Sequence, residues 1–355
     1  MFQLHDLGWD ARFQAHLDAQ ADPQLVPARV ASESRGHYVL YGAQGAYHAQ
    51  LAGKFRHEAR LREDLPAVGD WVAVRPYSAE DALIHAILPR RSVFVRKAAG
   101  AAQQAQIVAA NLDVVFLVMA LNQDFNLRRL ERYLVLAWES GSEPVVLLTK
   151  SDLCEDLEAR VSEVEAIAGL APVLVTSSLT GTGLEPVRAL IASGRTAGLL
   201  GSSGAGKTTL TNCLLGDGRL ATGSIREDDG RGRHTTTRRE LLPLPGGGLI
   251  LDTPGMRELG LWEAESGLEA TFEDIEALAA ECRFRDCGHD AEPACAVRKA
   301  LEDGELDPGR LESYRKLQRE QAHQAIREDT SLQHERRQQL KRLSKEIKRL
   351  YRDRT

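Results

Sequence analysis

The sequence predicts a multidomain protein with a small N-terminal β-barrel, a central α/β domain and a helical, metal-binding C-terminal domain. Three observations support this architecture. Short strand-length runs separated by Gly and Pro turns occupy residues 29–97, apolar runs alternate with helical patterns from residue 112 to about 263, and Cys and His residues cluster at 282–295. At 355 residues, the chain is also too long for one compact core.

The composition is that of an ordinary globular protein, with 27% charged residues and a net charge of −6. No apolar run approaches the ~20 residues that a membrane-spanning helix needs. The N-terminus has no basic cluster before an apolar core, as a secretory signal would. We therefore expect a cytoplasmic protein without membrane contact.

The five cysteines are an odd number, which favours metal ligands or reduced thiols over a disulfide framework.

Residues 1–28 are expected to form a poorly structured N-terminal extension, because Pro23 and Pro27 stand near its end. The barrel is expected at residues 29–98. Four strand-length runs in it are separated by Gly, Pro and charged turns: HYVLYG, AYHAQLAG, DWVAVRP and ALIHAILP. A five-stranded OB-type barrel fits this length, with an SH3-like barrel as the alternative.

The α/β domain is expected at residues 99–264. The run LDVVFLVMA from Leu112 is almost continuously apolar, as is typical of a buried parallel strand. Further strand runs alternate with helical patterns: PVVLLTK, PVLVTS, TAGLL, LLPLP and GGLILDTPG. This alternation predicts a doubly wound parallel sheet. Residues 265–355 are expected to be a helical domain with the metal cluster and a basic tail.

A phosphate-binding loop is predicted where GSSGAGKT matches the pattern G-x-x-x-x-G-K-[ST]. Its glycines let backbone N–H groups turn toward phosphate oxygens, Lys207 can reach the β- and γ-phosphates, and the Thr208 hydroxyl can ligate Mg²⁺. A strand run precedes the loop and a helical pattern follows it, as this chemistry requires. The predicted nucleotide-binding residues here are Gly201, Ser202, Ser203, Gly204, Ala205, Gly206, Lys207, Thr208 and Thr209.

A carboxylate for the same Mg²⁺ is expected at Asp252, which follows the apolar run Leu249–Leu251. Three residues later, Gly255 can offer its N–H to the γ-phosphate. The tetrapeptide Asp-Thr-Pro-Gly alone would be a plain turn. Its position at a strand end, downstream of a phosphate loop, favours the metal site.

The base-binding element is predicted at Thr149–Asp152, which resembles the Asn-Lys-x-Asp sequence of GTP-binding proteins. The Asp152 carboxylate can accept hydrogen bonds from N1–H and the 2-amino group of guanine, whereas adenine would leave it unpaired. Lys150 could lie along the base, and Thr149, in place of Asn, could brace the loop. Ser177 and Ser178 could place a backbone N–H against guanine O6. An ATP-dependent kinase or ATPase remains the rival.

The base element precedes the phosphate loop by some fifty residues, the reverse of the usual GTPase order. In a parallel sheet all strand ends of one polarity meet along one edge, so the site depends on strand neighbours and not on chain order. The sequence therefore predicts a circularly permuted GTPase domain.

A metal site is predicted at the pattern Cys-x4-Cys-x-His-x5-Cys, formed by Cys282, Cys287, His289 and Cys295. A complete Cys₃His set leaves no open position on Zn²⁺, so we expect one structural zinc ion. Three buried reduced cysteines and an iron–sulfur cluster are the alternatives.

The C-terminal region is basic: residues 310–355 contain 14 Lys and Arg against 7 Asp and Glu. The basic tail from Gln321 to Thr355 is either solvated or bound to RNA phosphates.

The order of these motifs resembles that of the ribosome small-subunit-dependent GTPase A (RsgA) family. The resemblance includes GDWVAV, RRSVFVRK, TKSDL, GSSGAGKTTL, GRGRHTTTRREL and ILDTPGMREL. It implies a monomeric GTPase that binds the small ribosomal subunit and its rRNA late in maturation. Stimulated by the subunit, such a protein hydrolyses GTP to GDP and phosphate. A nucleotide-regulated RNA-binding adaptor without turnover is the alternative.

Catalytic residues are expected in the Gly-rich, charged segment 224–240, where a γ-phosphate-sensing switch should lie. The motif match assigns Thr236 to Mg²⁺, with Thr235 or Thr237 as alternatives. Met256 stands where Ras-like proteins place the Gln that orients water, and a thioether cannot do so. The resemblance therefore implies that His234 positions the water. Together with Lys207 and Thr236, it forms the expected catalytic set. A solvated loop histidine is the alternative.

Overall fold

The computed structural model describes residues 2–97, 105–216, 239–252, 265–290 and 292–328. The chain divides into two compact units, residues 1–260 and 261–355. The first unit contains a barrel and an α/β sheet, and the second is helical. No helix in these described ranges is both long and apolar enough to cross a membrane.

The barrel closes in the order β1-β2-β3-β5-β4-β1, with β3 and β5 parallel and the other pairs antiparallel. Its strands are β1 (Val26–Ser34), β2 (His37–Gly42), β3 (Gly45–Leu51), β4 (Trp71–Pro76) and β5 (Asp81–Ile87). Helix α2 (Gly53–Glu58) lies in the β3–β4 connection. Inward-facing apolar side chains fill the interior, among them Val30, Tyr38, Leu40, Tyr47, Val72, Val74 and Ile84. The five-stranded OB-type barrel is confirmed.

Strand β1 begins at Val26, inside the segment that was expected to lack structure. Its sequence VPARVASES contains Pro27 and Arg29 and does not alternate cleanly, so strand periodicity does not identify it. Three of its residues nevertheless bury completely in the barrel wall: Ala28, Val30 and Ala31.

The expectation of a poorly structured N-terminus is wrong. Helix α1 (Ala11–Asp18) is N-capped by Asp10, whose side chain accepts from the N–H groups of Arg12 and Phe13. Leu7 and Phe13 are each only 1% exposed. Phe13 lies 5.9 Å, centroid to centroid, from the buried ring of Trp71. The partner that orders this segment is therefore some sixty residues away in the chain, where a local pattern cannot reveal it.

Buried Arg29 ties three parts of the first unit together. Its guanidinium donates to the carbonyls of Leu7, Gly69 (3.2 Å) and Asn111 (2.9 Å), which belong to the N-terminal segment, the barrel and the start of the α/β domain. Burial lowers the pKa of this guanidinium to about 10, against the opposing influence of Asp113 and Asp70. The buried cation thus has three carbonyl acceptors, and the Gly69 carbonyl also accepts from the Asn111 side chain at 3.1 Å.

A two-stranded antiparallel ribbon connects the barrel to the α/β sheet. It consists of β6 (Val93–Lys97) and β7 (Ala105–Ala110).

The α/β sheet has the strand order β10-β9-β8-β11-β13-β12, with β12 antiparallel to β13 and the other pairs parallel. The strands are β8 (Val114–Ala120), β9 (Glu143–Thr149), β10 (Val173–Val175), β11 (Thr196–Gly201), β12 (Glu240–Pro243) and β13 (Leu249–Asp252). The helices are α3 (Leu127–Glu139), α4 (Leu157–Ala168), α5 (Leu184–Leu190) and α6 (Lys207–Leu215). The predicted doubly wound sheet is confirmed, and Glu240 of β12 also pairs with Ser32 of β1.

The second unit contains four helices among its described residues. They are α7 (Glu265–Thr271), α8 (Glu273–Ala280), α9 (Ala296–Glu302) and α10 (Pro308–Glu328). Arg310 is 2.7 Å from the Asp274 carboxylate and lies over the Phe272 ring, so it fastens α10 to α8. The predicted basic tail beyond residue 328 lies outside the described residues.

Candidate nucleotide site and metal centre

The predicted nucleotide-binding elements lie along one edge of the α/β sheet. Parallel strands β9, β10, β11 and β13 end at Thr149, Val175, Gly201 and Asp252, and β8 lies between β9 and β11. The base element and the phosphate loop therefore share one sheet edge although fifty residues separate them in sequence. This arrangement supports the permuted order.

The phosphate loop joins β11 directly to α6 and requires glycine where it leaves the strand. A Cβ on Gly201 would lie 2.3 Å from the carbonyl oxygen of Val118. Gly206, which N-caps α6, has φ +94°, in the region that favours glycine. The first N–H groups of α6, together with the helix dipole, therefore face the loop and can bind an anion there.

Lys207, the first residue of α6, reaches back along the loop. Its Nζ donates to the carbonyl of Gly201 at 2.8 Å and to that of Ser202 at 2.6 Å. These bonds fix the ammonium group over the start of the loop. A phosphate held by the loop amides would lie within reach of this charge.

Thr149 connects the base element to the phosphate loop. Its hydroxyl is buried and donates to the carbonyl of Ala205 at 2.6 Å. This is the bracing contact expected from the sequence. It explains how a threonine can take the place of the usual asparagine in this element.

Replacing Thr149 with Val should weaken GDP binding about 10-fold, because the Ala205 carbonyl loses its buried donor, a loss of about 1–2 kcal/mol. Equilibrium titration with a fluorescent GDP analogue measures this. Thr149→Asn, which restores an amide donor, is the matched control and should bind at least as tightly as wild type. Wild-type affinity in the Val variant would contradict the bracing role.

The base element is held by the loop that follows β10. Asp152 lies in a single 3₁₀ turn, Ser151–Leu153, and its Oδ1 accepts from the hydroxyl of Ser177 at 2.5 Å. Lys150 has φ +59°, a left-handed conformation that turns the chain at the strand end. The N–H of Ser177 donates to the Thr182 carbonyl at 3.0 Å. Ser178 is therefore the better candidate of the two for guanine O6.

Other predicted site residues stand at the ends of their elements or outside the described ranges. Thr208 and Thr209 follow Lys207 in the first turn of α6, and Asp252 ends β13 beside β11. Gly255, Met256, His234 and the threonines at 235–237, Thr236 among them, lie outside the described residues.

One contact at the phosphate loop was not predicted. The Ser202 hydroxyl donates to the carboxylate of Asp124, in the loop that follows β8. The sequence does place Asn122 and Asp124 just after a buried strand, at the same sheet edge as the phosphate loop. This position could have indicated that one of them contacts the loop.

The second unit holds the predicted Cys₃His cluster. The four ligand atoms of Cys282, Cys287, His289 and Cys295 lie within 4.8 Å of one another. His289 Nδ1 is 3.6 Å from Cys282 Sγ and 3.5 Å from Cys295 Sγ, and these two sulfur atoms are 3.9 Å apart. Such separations are the edges of a tetrahedron whose metal–ligand bonds are about 2.0–2.3 Å long. The four residues could therefore hold a metal ion.

Neighbouring groups shape the cluster. His289 has φ +60°, a conformation uncommon for a non-glycine residue. Arg315 of α10 donates to the carbonyl of His289 at 2.8 Å and contacts the Asp290 carboxylate at 2.8 Å. Cys295 is buried, and its sulfur accepts from the N–H of Arg298 at the start of α9. The ligand loop is thus attached to α9 and α10.

Together, the fold and the site define a circularly permuted P-loop GTPase with an OB-type barrel before it and a Cys₃His domain after it. Residues 87–262 match the family model described as RsgA GTPase. The small ribosomal subunit biogenesis GTPase RsgA of Opitutus terrae is 51% identical over 93% of this chain and 92% of its own length. The chain therefore belongs to the RsgA GTPase family.

Other comparisons agree. The small ribosomal subunit biogenesis GTPase RsgA of Syntrophotalea carbinolica is 45% identical over 99% of this chain and 98% of its own. The crystal structure of YjeQ from Thermotoga maritima is 29% identical, with a TM-score of 0.62 over 82% of this chain and 97% of that one. YloQ, a circularly permuted GTPase, shows the same fold at 24% identity, with a TM-score of 0.60 over 85% of this chain and 96% of that one.

Proposed function

We propose that this GTPase binds the small ribosomal subunit and its rRNA, and that the subunit stimulates it to hydrolyse GTP to GDP and phosphate late in subunit maturation. The observation that carries the proposal is 51% identity over 93% of the chain to a small ribosomal subunit biogenesis GTPase. The proposal includes a cytoplasmic, monomeric protein.

Nucleotide binding and specificity follow from the sheet edge. The loop from Gly201 to Thr209 and the Lys207 ammonium bind the phosphates, while Asp152 accepts from N1–H and the 2-amino group of guanine. Thr208 and Asp252 are proposed to hold Mg²⁺. When bound, this ion neutralises charge that develops on the β- and γ-phosphate oxygens.

Hydrolysis requires a water molecule to be oriented toward the γ-phosphate. The residue after the Asp-x-x-Gly sequence is Met256, whose thioether cannot orient water. We therefore propose His234 for this role and Thr236 for the metal. We therefore expect slow turnover by the protein alone and faster turnover with a partner.

The Cys₃His cluster is proposed to hold one structural Zn²⁺, because Zn²⁺ takes four sulfur and nitrogen ligands tetrahedrally. All four positions are filled by protein, so the ion stabilises the fold and has no site for substrate. The zinc module, the OB-type barrel and the basic tail are the proposed rRNA-binding elements. The predicted switch, residues 224–240, ends at Glu240 of β12, and Glu240 pairs with Ser32 of the barrel strand β1.

The proposal predicts that GTP hydrolysis by the full-length protein rises at least about 10²-fold when small ribosomal subunits are added, a lower bound set below the roughly 10³–10⁵-fold that a partner-supplied arginine gives. Phosphate release is measured with the protein alone, with small subunits and with large subunits, at one salt concentration. Large subunits serve as the control. Tight, GTP-selective binding without stimulation by small subunits would favour an RNA-binding adaptor. Preference for ATP in competition would favour an ATPase.

Replacing His234 with Ala should lower subunit-stimulated kcat about 10²-fold, the size of effect expected for a residue that positions or deprotonates the attacking water. Affinity for GDP should stay at the wild-type value, because the proposed role concerns only the γ-phosphate and water. Unchanged stimulated turnover would show that His234 is only a solvated loop histidine.

A further inference from the structure

The phosphate loop has a tether that the proposed mechanism does not use. It comes from the loop between β8 and α3, and β8 is the neighbour of β11 in the sheet. The hydroxyl of Ser202, the second residue of the phosphate loop, donates to Oδ2 of Asp124. This hydrogen bond to a carboxylate joins two loops that are 78 residues apart in sequence.

Asp124 is itself held in place by α3. The Arg129 guanidinium lies 2.9 Å from Asp124 Oδ2 and also donates to the Asp124 carbonyl. Arg129 lies in the first turn of α3, where its N–H donates to the capping side chain of Asn126 at 2.9 Å. The N–H of Asp124 donates to Asn122 Oδ1 at 3.0 Å. The Asp124 carboxylate is therefore held in position by Arg129 of α3.

Ser202 also contacts the phosphate-binding lysine. Its carbonyl accepts from Lys207 Nζ at 2.6 Å, while its hydroxyl is bound to Asp124. Fixing the side chain restricts the backbone of Ser202, and with it the direction of the carbonyl that holds the ammonium group. Arg129 balances the negative charge of Asp124, which would otherwise repel a polyphosphate nearby.

We propose that Asp124 is a positioning residue for Lys207, that it acts through Ser202, and that it thereby sets the affinity for the phosphate groups of guanine nucleotides. The inference rests on the proposed nucleotide-binding role of Lys207. It adds an acidic residue outside the predicted motifs to the site, with Arg129 as its counterion.

A double-mutant cycle tests the proposal. Asp124→Ala, Ser202→Ala and the double variant are titrated with fluorescent GDP, and their thermal unfolding is followed in the absence of nucleotide. Each single change should weaken GDP binding about 10-fold, as loss of a hydrogen bond to a charged group would. The double variant should bind no more weakly than either single variant. Ser202→Thr keeps a hydroxyl and should retain most of the affinity.

Glu163→Ala is the matched control. Glu163 pairs with Arg160 at 3.0 Å on α4, so this change also removes an acid–arginine pair but leaves the phosphate loop intact. Its GDP affinity should equal that of wild type.

Additive losses in the cycle would overturn the proposal. So would wild-type GDP affinity in Asp124→Ala, even with a lower melting temperature, because the contact would then be merely structural.

A second cycle tests whether the effect passes through Lys207. In a Lys207→Ala background, Asp124→Ala should lower GDP affinity less than about 2-fold, because the ammonium group on which it acts is missing. If wild type itself fails to bind GDP, the proposed function is wrong. If wild type binds but the variants do not differ from it, only the role of Asp124 is wrong.

Discussion

Replacing Cys282 with Ser is expected to abolish binding of the proposed metal ion and to unfold the segment between α8 and α9. Structural zinc sites contribute their metal-binding free energy to folding, about 10–16 kcal/mol in isolated zinc-finger peptides. Here α8 also packs on α9 and is joined to α10 through Arg310 and Tyr314, so part of the unit can survive. We still expect the free energy of unfolding to fall by more than about 4 kcal/mol, the range in which loss of a metal site belongs.

The measurement combines metal content per chain with thermal unfolding of the full-length protein. Wild type should carry one equivalent of zinc, and Cys282→Ser should carry little. Cys154→Ser is the control, because Cys154 is a free thiol outside the cluster. Full zinc content in the Cys282 variant would contradict the proposed ligand set, and iron in the wild type would favour the cluster alternative.

Replacing Asp152 with Asn is expected to reverse the base preference of the site. An amide can accept only through its oxygen, so it cannot serve both N1–H and the 2-amino group, and its NH₂ group would face that amino group. GTP affinity should fall by about 10²-fold or more, because a buried polar group is left without its partner. Xanthine carries a carbonyl at position 2, so xanthosine triphosphate should gain affinity.

This change is measured by competition of each triphosphate against a fluorescent nucleotide. The probe is fluorescent GDP for the wild type and the fluorescent xanthosine analogue for the variant. Asn retains an oxygen that can accept from Ser177, so the loop should keep its conformation. Asp156→Asn is the control: it alters a carboxylate that N-caps α4 four residues later. Equal losses for both nucleotides would indicate a damaged loop, and unchanged GTP affinity would place the base elsewhere.

The sequence could predict most strands of the first unit because their signals are local. Strands β2 to β5 and the strands of the α/β sheet are runs whose side-chain pattern is set by one or two buried faces. The phosphate loop and the Cys₃His pattern could be predicted for the same reason, since their chemistry demands fixed residue types at fixed spacing. The order of the base element and the phosphate loop then predicted the permutation.

Strand β1 and helix α1 show where local signals fail. Arg29 belongs in a strand because its guanidinium finds carbonyl acceptors from three separate segments. Phe13 is buried because Trp71 lies beside it. The local sequence identifies neither the acceptors of Arg29 nor the ring that covers Phe13.

The sequence by itself predicted the chemistry proposed for this protein: a phosphate loop, a guanine-binding carboxylate, a metal-ligand set and the order in which they occur. The tertiary structure alone decided which residues support them. Thr149 at the end of β9 and Asp124 in the loop after β8 reach the phosphate loop through contacts to Ala205 and Ser202. Local residue types encode a motif because its groups are adjacent in the chain. A brace between two loops depends on the order of strands in the sheet, which only the folded chain establishes.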